Sequence, residues 1–242
     1  MAGHSHWAGI KHKKGRADKE RSKIFSKLSR EITVAAKLGD KDPDMNPRLR
    51  TAIQAAKQSN MPKDNITRAI SKSEMSGDKN YESLRYEGFG PFNIALVIET
   101  LTDNKNRSAS SIRTVLQKNG GRLGETGSTT HLFSNCGVIH VAKEKIKEEE
   151  IFELAINTGA KDCSNLDDFF EIITKKEDFY KIKMEIEKKI ETINYSSIEW
   201  RPLVYIDLAK GSLEKLLEVL TSLEELDDVQ NIFTNANLKN LQ

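Results

Sequence analysis

Cysteine is almost missing from this chain: Cys136 and Cys163 are the two in 242 residues, and neither stands in a Cys-X-X-Cys or Cys/His ligand spacing. That excludes a disulfide framework and gives no zinc signature. Both thiols read as small buried apolar side chains, and a reducing cytosol is the natural compartment. Long apolar runs are missing too. Nothing approaches the roughly 18 residues that read as a membrane span, so no membrane partner is expected. No apolar stretch follows the basic start, so it is not a secretory signal. Catalytic signatures are equally scarce, with no His-Glu-X-X-His, no Gly-X-Ser-X-Gly and no Walker Gly-Lys-Ser/Thr. Three of the five histidines, His4, His6 and His12, crowd into the start. Paired carboxylates such as Asp167-Asp168 and Asp227-Asp228 read as solvated or capping groups. The expectation is a non-enzymatic protein with no catalytic residue, no cofactor, no resident metal and no small-molecule substrate. After removal of Met1, Ala2-Gly3-His4 could hold Cu(II) or Ni(II) through amine, amides and imidazole, but no role is assigned to it.

Net charge is only +2, yet the charges are segregated. Residues 1–75 carry 17 Lys+Arg against 8 Asp+Glu, and the remainder carries 21 against 28. A basic head on an acidic body suggests a polyanion partner, nucleic acid first of all.

Residues 1–15 show little apolar periodicity and read as an extended arm. Ala17–Leu38 reads as a helix stopped by Gly39. At about 100° per residue, Ile24, Phe25, Leu28, Ile32 and Ala35 share one face. Arg16, Lys19, Lys23, Lys27, Arg30 and Lys37 fall within an arc of roughly 80° on the other side. Asn46-Pro47 opens a second helix, a cap residue followed by proline at the first helical position. Pro62 opens a third with Ile66, Ala69 and Ile70, and the three make a small helical domain. Ser76-Gly77-Asp78 reads as a linker.

The remainder alternates. Strands are expected at 93–100, 128–133, 138–141, 169–174, 197–200, 203–208 and 229–234, and helices at 107–119, 147–158, 178–192 and 211–223. Gly88-Phe89-Gly90-Pro91 reads as a turn entering the first strand. Gly120–Gly127 is glycine-rich but runs from helix to strand, opposite to a nucleotide loop, and reads as a flexible loop or a contact to an RNA backbone. The pattern is α+β: an N-terminal three-helix domain plus two small α/β domains.

At the level of whole motifs the sequence resembles the YebC family. The resemblance rests on Ala2-Gly3-His4-Ser5-His6-Trp7, Ile10-Lys11-His12-Lys13-Lys14, Lys23-Ile24-Phe25 and Asn46-Pro47-Arg48-Leu49-Arg50. Asn60-Met61-Pro62-Lys63-Asp64-Asn65-Ile66, Tyr86-Glu87-Gly88-Phe89-Gly90-Pro91, Thr102-Asp103-Asn104 and Asp227-Asp228-Val229-Gln230 extend it along the whole chain. His6 and Phe89 stand where the family usually has a basic residue and a tyrosine. Because the family motif begins at the first residue, the basic start is expected to belong to the domain rather than to a presequence, in a cytoplasmic bacterial protein. The resemblance implies three domains. These are a basic arm and helical domain over 1–78, a discontinuous α+β domain over 79–132 and 203–242, and an inserted α+β domain over 133–202. Strand–helix–strand halves of this kind can complete ferredoxin-like sheets.

The resemblance also implies gene regulation through nucleic acid, in one of two forms. One is DNA-binding control of transcription, as bacterial members are usually described. The other is a ribosome-associated translation factor that contacts ribosomal RNA and helps at difficult, proline-rich sequences, in keeping with the mitochondrial relative that activates translation of cytochrome c oxidase subunit one. The chain shows no obvious major-groove reading helix and no zipper, which favours RNA, whereas the family description favours DNA. The candidate nucleic-acid contacts are Lys11, His12, Lys13, Lys14, Arg16, Lys19, Lys23, Lys27 and Arg30, flexible cations suited to phosphates. Trp7 could stack beside them. Arg107 joins them at a predicted strand-to-helix junction, where backbone amides could hold a phosphate unless Asp103 or Asn106 simply caps the helix.

Overall fold

The computed structural model describes residues 17–75, 81–190 and 193–238. Apolar spacing builds the helical part as expected. Helix α1 (Ala17–Leu38) lays Phe25, Leu28, Ile32, Ala35 and Ala36 against α2 (Pro47–Gln58) and α3 (Lys63–Met75). Ile24, expected on that face, is 39% exposed. Two successive four-residue steps rotate it about 80° from Ile32, which carries it off the core. Asn46 makes the α1–α2 connection. Its side-chain oxygen accepts from Leu49 N at 3.1 Å, and its amide donates to the Ala35 and Asp40 carbonyls at 2.9 and 2.6 Å. Pro47 follows at the first helical position.

Two compact units emerge: residues up to Thr129 together with those from Ile206 onward, and Thr130–Tyr205. Besides the three helices, the first holds β1 (Glu82–Phe89), β2 (Ala95–Thr102), α4 (Lys105–Lys118), β3 (Arg122–Leu123), α5 (Lys210–Glu224) and β4 (Val229–Thr234). Its sheet is antiparallel in the order β3-β1-β2-β4. Strands β2 and β3 flank β1, the split β-α-β arrangement. Ile94, Leu96 and Ile98 pack with Ile112 and Leu116 of α4 and Leu213, Leu216 and Leu220 of α5. Each such fully buried side chain contributes about 1.5–3 kcal/mol.

The second unit runs β5 (Phe133–Ala142), α6 (Glu148–Thr158), β6 (Asp162–Asn165), β7 (Phe169–Lys175), α7 (Phe179–Lys189) and β8 (Tyr195–Pro202). Its antiparallel order is β6-β7-β5-β8, the full β-α-β-β-α-β ferredoxin-like pattern. Ile139, Val141, Phe170 and Ile172 meet Ile151 of α6 and Phe179, Ile182 and Ile186 of α7. Gly159 closes α6 in the left-handed conformation, φ 81°. The sheet carries a buried polar row formed by His140 with Glu171 at 3.0 Å and Arg201 with Glu171 at 2.8 Å. Burial pushes the Glu171 carboxyl up, but the His140 hydrogen bond and the Arg201 charge outweigh it and hold it below its ordinary value.

The fold class is therefore α+β with an N-terminal helical part, but several elements differ from expectation. Gly88 and Phe89 belong to strand β1, and the turn is a 3-10 segment at Pro91–Asn93. Of the two short strands expected around Cys136-Gly137, the first gives way to a 3-10 segment at Thr130–Leu132, and β5 runs unbroken from Phe133 through Gly137 to Ala142. The apolar run 203–208 forms no strand and keeps a single bridge, Ile206 to Ala236.

Candidate nucleic-acid interface

The basic face of α1 was expected to meet nucleic acid. Three of its cations reach the acidic turn after α5. Lys23 Nζ lies 3.4 Å from Glu225 Oε1, and Lys27 Nζ donates to the Glu224 carbonyl at 3.1 Å. Arg30 donates to the carbonyls of Asp227 at 2.7 Å and Leu101 at 3.2 Å, and to Asp228 Oδ1 at 3.3 Å. The cause is local to α5: a helix C-terminus leaves carbonyls without helical partners and carries partial negative charge, here reinforced by Glu224, Glu225, Asp227 and Asp228. Lys11, His12, Lys13, Lys14 and Arg16 lie outside the described residues, as do Trp7, His4 and the side chain of Lys19.

Arg107 comes to the same place. Its guanidinium donates to Asp228 at 2.9–3.2 Å and to Asp103 at 2.7 Å. The Asp228 and Asp103 hydrogen bonds push its pKa up. The helix cap is Asn104, whose side chain accepts from Arg107 N at 3.0 Å, rather than Asp103 or Asn106. Asp103 is drawn off by the guanidinium, and Asn106 already lies inside α4.

Asp228, read as a solvated or capping carboxylate, is the hub that sequence reasoning missed. Its side chain is 12% exposed and accepts from Arg30, Arg107, Ser108 at 2.7 Å and Thr102 at 3.1 Å. Burial raises its pKa, but the hydrogen bonds from Ser108, Arg107 and Thr102, with the Arg107 charge, bring it below the ordinary value. Arg30 and Arg107 thus meet at one carboxylate, 198 and 121 residues away along the chain.

The glycine-rich loop is also committed internally. Its Gly127 and Thr129 amides donate to the buried Glu87 carboxylate, each at 2.9 Å. The loop does hold an anion, but one supplied by β1. Among the described residues, no group of three His, Cys, Asp or Glu side chains could hold a metal ion.

A second feature went unread in the sequence. Between α1 and α3 runs an open groove of about 690 Å³. Ser22, Ser26 and Ser29 line its α1 wall, and Asn65, Arg68 and Lys72 its α3 wall. The hydrogen bond from Thr33 Oγ1 to the Ala69 carbonyl, 2.7 Å, holds the two helices together. Arg30 also lines it, and among the described residues no carboxylate does. The signal was present as the spacing i, i+3, i+7 of Asn65, Arg68 and Lys72, one face of a helix. What hid it was that its other wall lies some forty positions earlier.

Comparison with known proteins follows this architecture. Residues 5–76 match the TACO1/YebC protein N-terminal domain, and residues 81–236 match the TACO1/YebC second and third domain. A probable transcriptional regulatory protein of Pelagibacter ubique is 56% identical over 240 residues, covering 99% of this chain and 100% of that one. One of Zymomonas mobilis is 47% identical over 238 residues, covering 98% and 96%. The crystal structure of a conserved hypothetical protein from Aquifex aeolicus superposes with a TM-score of 0.81 at 42% identity, over 98% of this chain and 99% of that one. With the helical part, both sheets and nearly every position matched, the chain belongs to the TACO1/YebC family.

Proposed function

We propose that this protein is a non-enzymatic, cytoplasmic regulator of gene expression that binds nucleic acid through its basic N-terminal segment. The observation that carries the reading is the charge segregation: 17 basic against 8 acidic residues in the first 75, on a body with the opposite excess. The first form of the reading is DNA-binding control of transcription, supported by relatives named probable transcriptional regulatory proteins. The second is a ribosomal-RNA-binding translation factor that relieves stalling at proline-rich sequences. It is favoured by the concave, cation-lined groove, since a duplex is read by a convex element entering its major groove, and single strands settle into grooves. In both forms the chain works as three domains, 1–78, 79–132 with 203–242, and 133–202.

The deciding experiment is in-cell ultraviolet crosslinking with sequencing of the attached nucleic acid, alongside a ribosome-sedimentation profile. Crosslinks at discrete promoters, with the protein absent from ribosomal fractions, support the first form. Crosslinks in ribosomal RNA with co-sedimentation support the second. No enriched nucleic acid in either experiment refutes both.

A further inference from the structure

We propose that the groove between α1 and α3 is a single-strand-binding cleft that grips a phosphodiester backbone through Arg68 and Lys72 on one wall and the Ser22, Ser26 and Ser29 hydroxyls on the other. The inference rests on the nucleic-acid reading above and adds a contact beyond the α1 stripe that the sequence singled out.

Three observations carry it. The first is charge. Among the described residues that line this groove, Arg30, Arg68 and Lys72 carry charge and no carboxylate is present. The neighbouring pocket, by contrast, contains Asp103, Glu225, Asp227 and Asp228. Arg68 and Lys72 are exposed on α3.

The second is spacing. Ser22 to Ser29 and Asn65 to Lys72 each span seven residues, about 10 Å of helix. That length accommodates a short stretch of single-stranded backbone. Hydroxyls, amides and basic side chains are the groups proteins use on phosphate oxygens, and they position a strand without reading its sequence.

The third is shape. The groove is concave and has apolar surface from Phe25 and Met61, with Tyr81 at its border. Aromatic surface beside cations suits exposed bases, which stack on rings regardless of identity. Tyr81 also lies under the Arg30 guanidinium, at 5.5 Å. A duplex hides its base faces and presents a convex surface too broad for a cleft between two packed helices.

The test uses the full chain and three fluorescein-labelled probes of one mixed 20-nucleotide sequence: single-stranded RNA, single-stranded DNA and duplex DNA. Anisotropy is measured from 50 to 200 mM salt for the wild type and for Arg68→Glu/Lys72→Glu, two exposed positions whose reversal leaves the helical core intact. The expected result is a roughly 25-fold loss for both single strands, from two solvent-exposed ionic contacts of about fivefold each. The salt slope should fall by about 1.4, two phosphate contacts at roughly 0.7 each, while duplex binding changes less than threefold. Ser22→Ala/Ser26→Ala/Ser29→Ala, which removes no charge, should weaken single-strand binding without changing the slope. Wild-type binding to single strands with no loss in Arg68→Glu/Lys72→Glu overturns the cleft and leaves the nucleic-acid reading standing. Equal loss for duplex and single strand also overturns the cleft. No binding of any probe by the wild type overturns both.

Discussion

Replacing Asp228 with asparagine removes one negative charge and nearly no volume. It also removes the common acceptor of Arg30, Arg107, Ser108 and Thr102. Arg107 is half exposed and rehydrates at little cost, but Arg30 is 20% exposed and keeps only its two carbonyl acceptors. Charge-assisted bonds contribute about 1.5–3 kcal/mol each, the contributions are not additive, and the amide oxygen retains one acceptor. The net loss comes to about 3 kcal/mol. For a unit of this size that lowers Tm by roughly 6–12 °C. The pH dependence has a fixed sign. Asp228 has a folded pKa below its unfolded value, so its contribution is present above the unfolded value near pH 4 and is lost as pH falls through the folded one. Scanning calorimetry of wild type and Asp228→Asn at pH 7, 5 and 3 should therefore show a gap that holds from 7 to 5 and narrows at 3. A Tm within 2 °C of wild type at pH 7, or a gap that widens on acidification, would refute the hub.

Other outcomes follow from the same geometry. Lys19→Glu/Lys23→Glu/Lys27→Glu should weaken nucleic-acid binding, seen as a reduced affinity and salt slope. It should also cost about 1 kcal/mol in urea unfolding, because Lys23 and Lys27 pair with the turn after α5. Arg107→Ala should destabilise by about 1 kcal/mol, since its exposed pair is screened, and should leave affinity within a few-fold in a binding titration. Asn46→Ala should cost about 2 kcal/mol by circular-dichroism melting, losing a cap together with two bonds to carbonyls. Gly137→Ala places a methyl 2.3 Å from Thr174 Oγ1 and 2.4 Å from Phe179 Cδ2. It should cost at least about 2 kcal/mol, read as an earlier urea midpoint for probes in residues 130–205.

How much of this was written in the sequence depends on the range of the forces involved. Helix α1 and the Asn46-Pro47 start of α2 were legible because periodicity and capping act within a few residues. Strand β1 was not, because Glu82-Ser83-Leu84-Arg85-Tyr86-Glu87 keeps an exposed face and buries a carboxylate that only the distant 127–129 amides satisfy. Strand β6, Asp-Cys-Ser-Asn, is a polar edge with one partner and leaves no apolar alternation. Leu203-Val204-Tyr205-Ile206 misled in the opposite sense. Its composition is that of a strand, yet all four residues are more than a third exposed and only one forms a bridge. At the site, the cations of α1 could be listed from spacing, but their partners could not. Whether Arg30 faces solvent or a carboxylate is decided 198 residues later, and no local pattern carries that information.

The pairing of Phe133 with Pro202 at the ends of β5 and β8 has a consequence for how the chain folds. Strand β4 must find β2 across roughly 130 residues of intervening chain, a non-local closure of the kind that slows folding. Once the ferredoxin-like unit forms, its two ends lie side by side, and the effective loop shrinks to roughly 65 residues. That halving spares about 0.6 kcal/mol of closure entropy and, more importantly, supplies a preformed tether. The insert thus acts as an internal staple. During synthesis it can be complete before α5 and β4 leave the ribosome, so the sheet of β1 to β4 closes late, after the insert has folded.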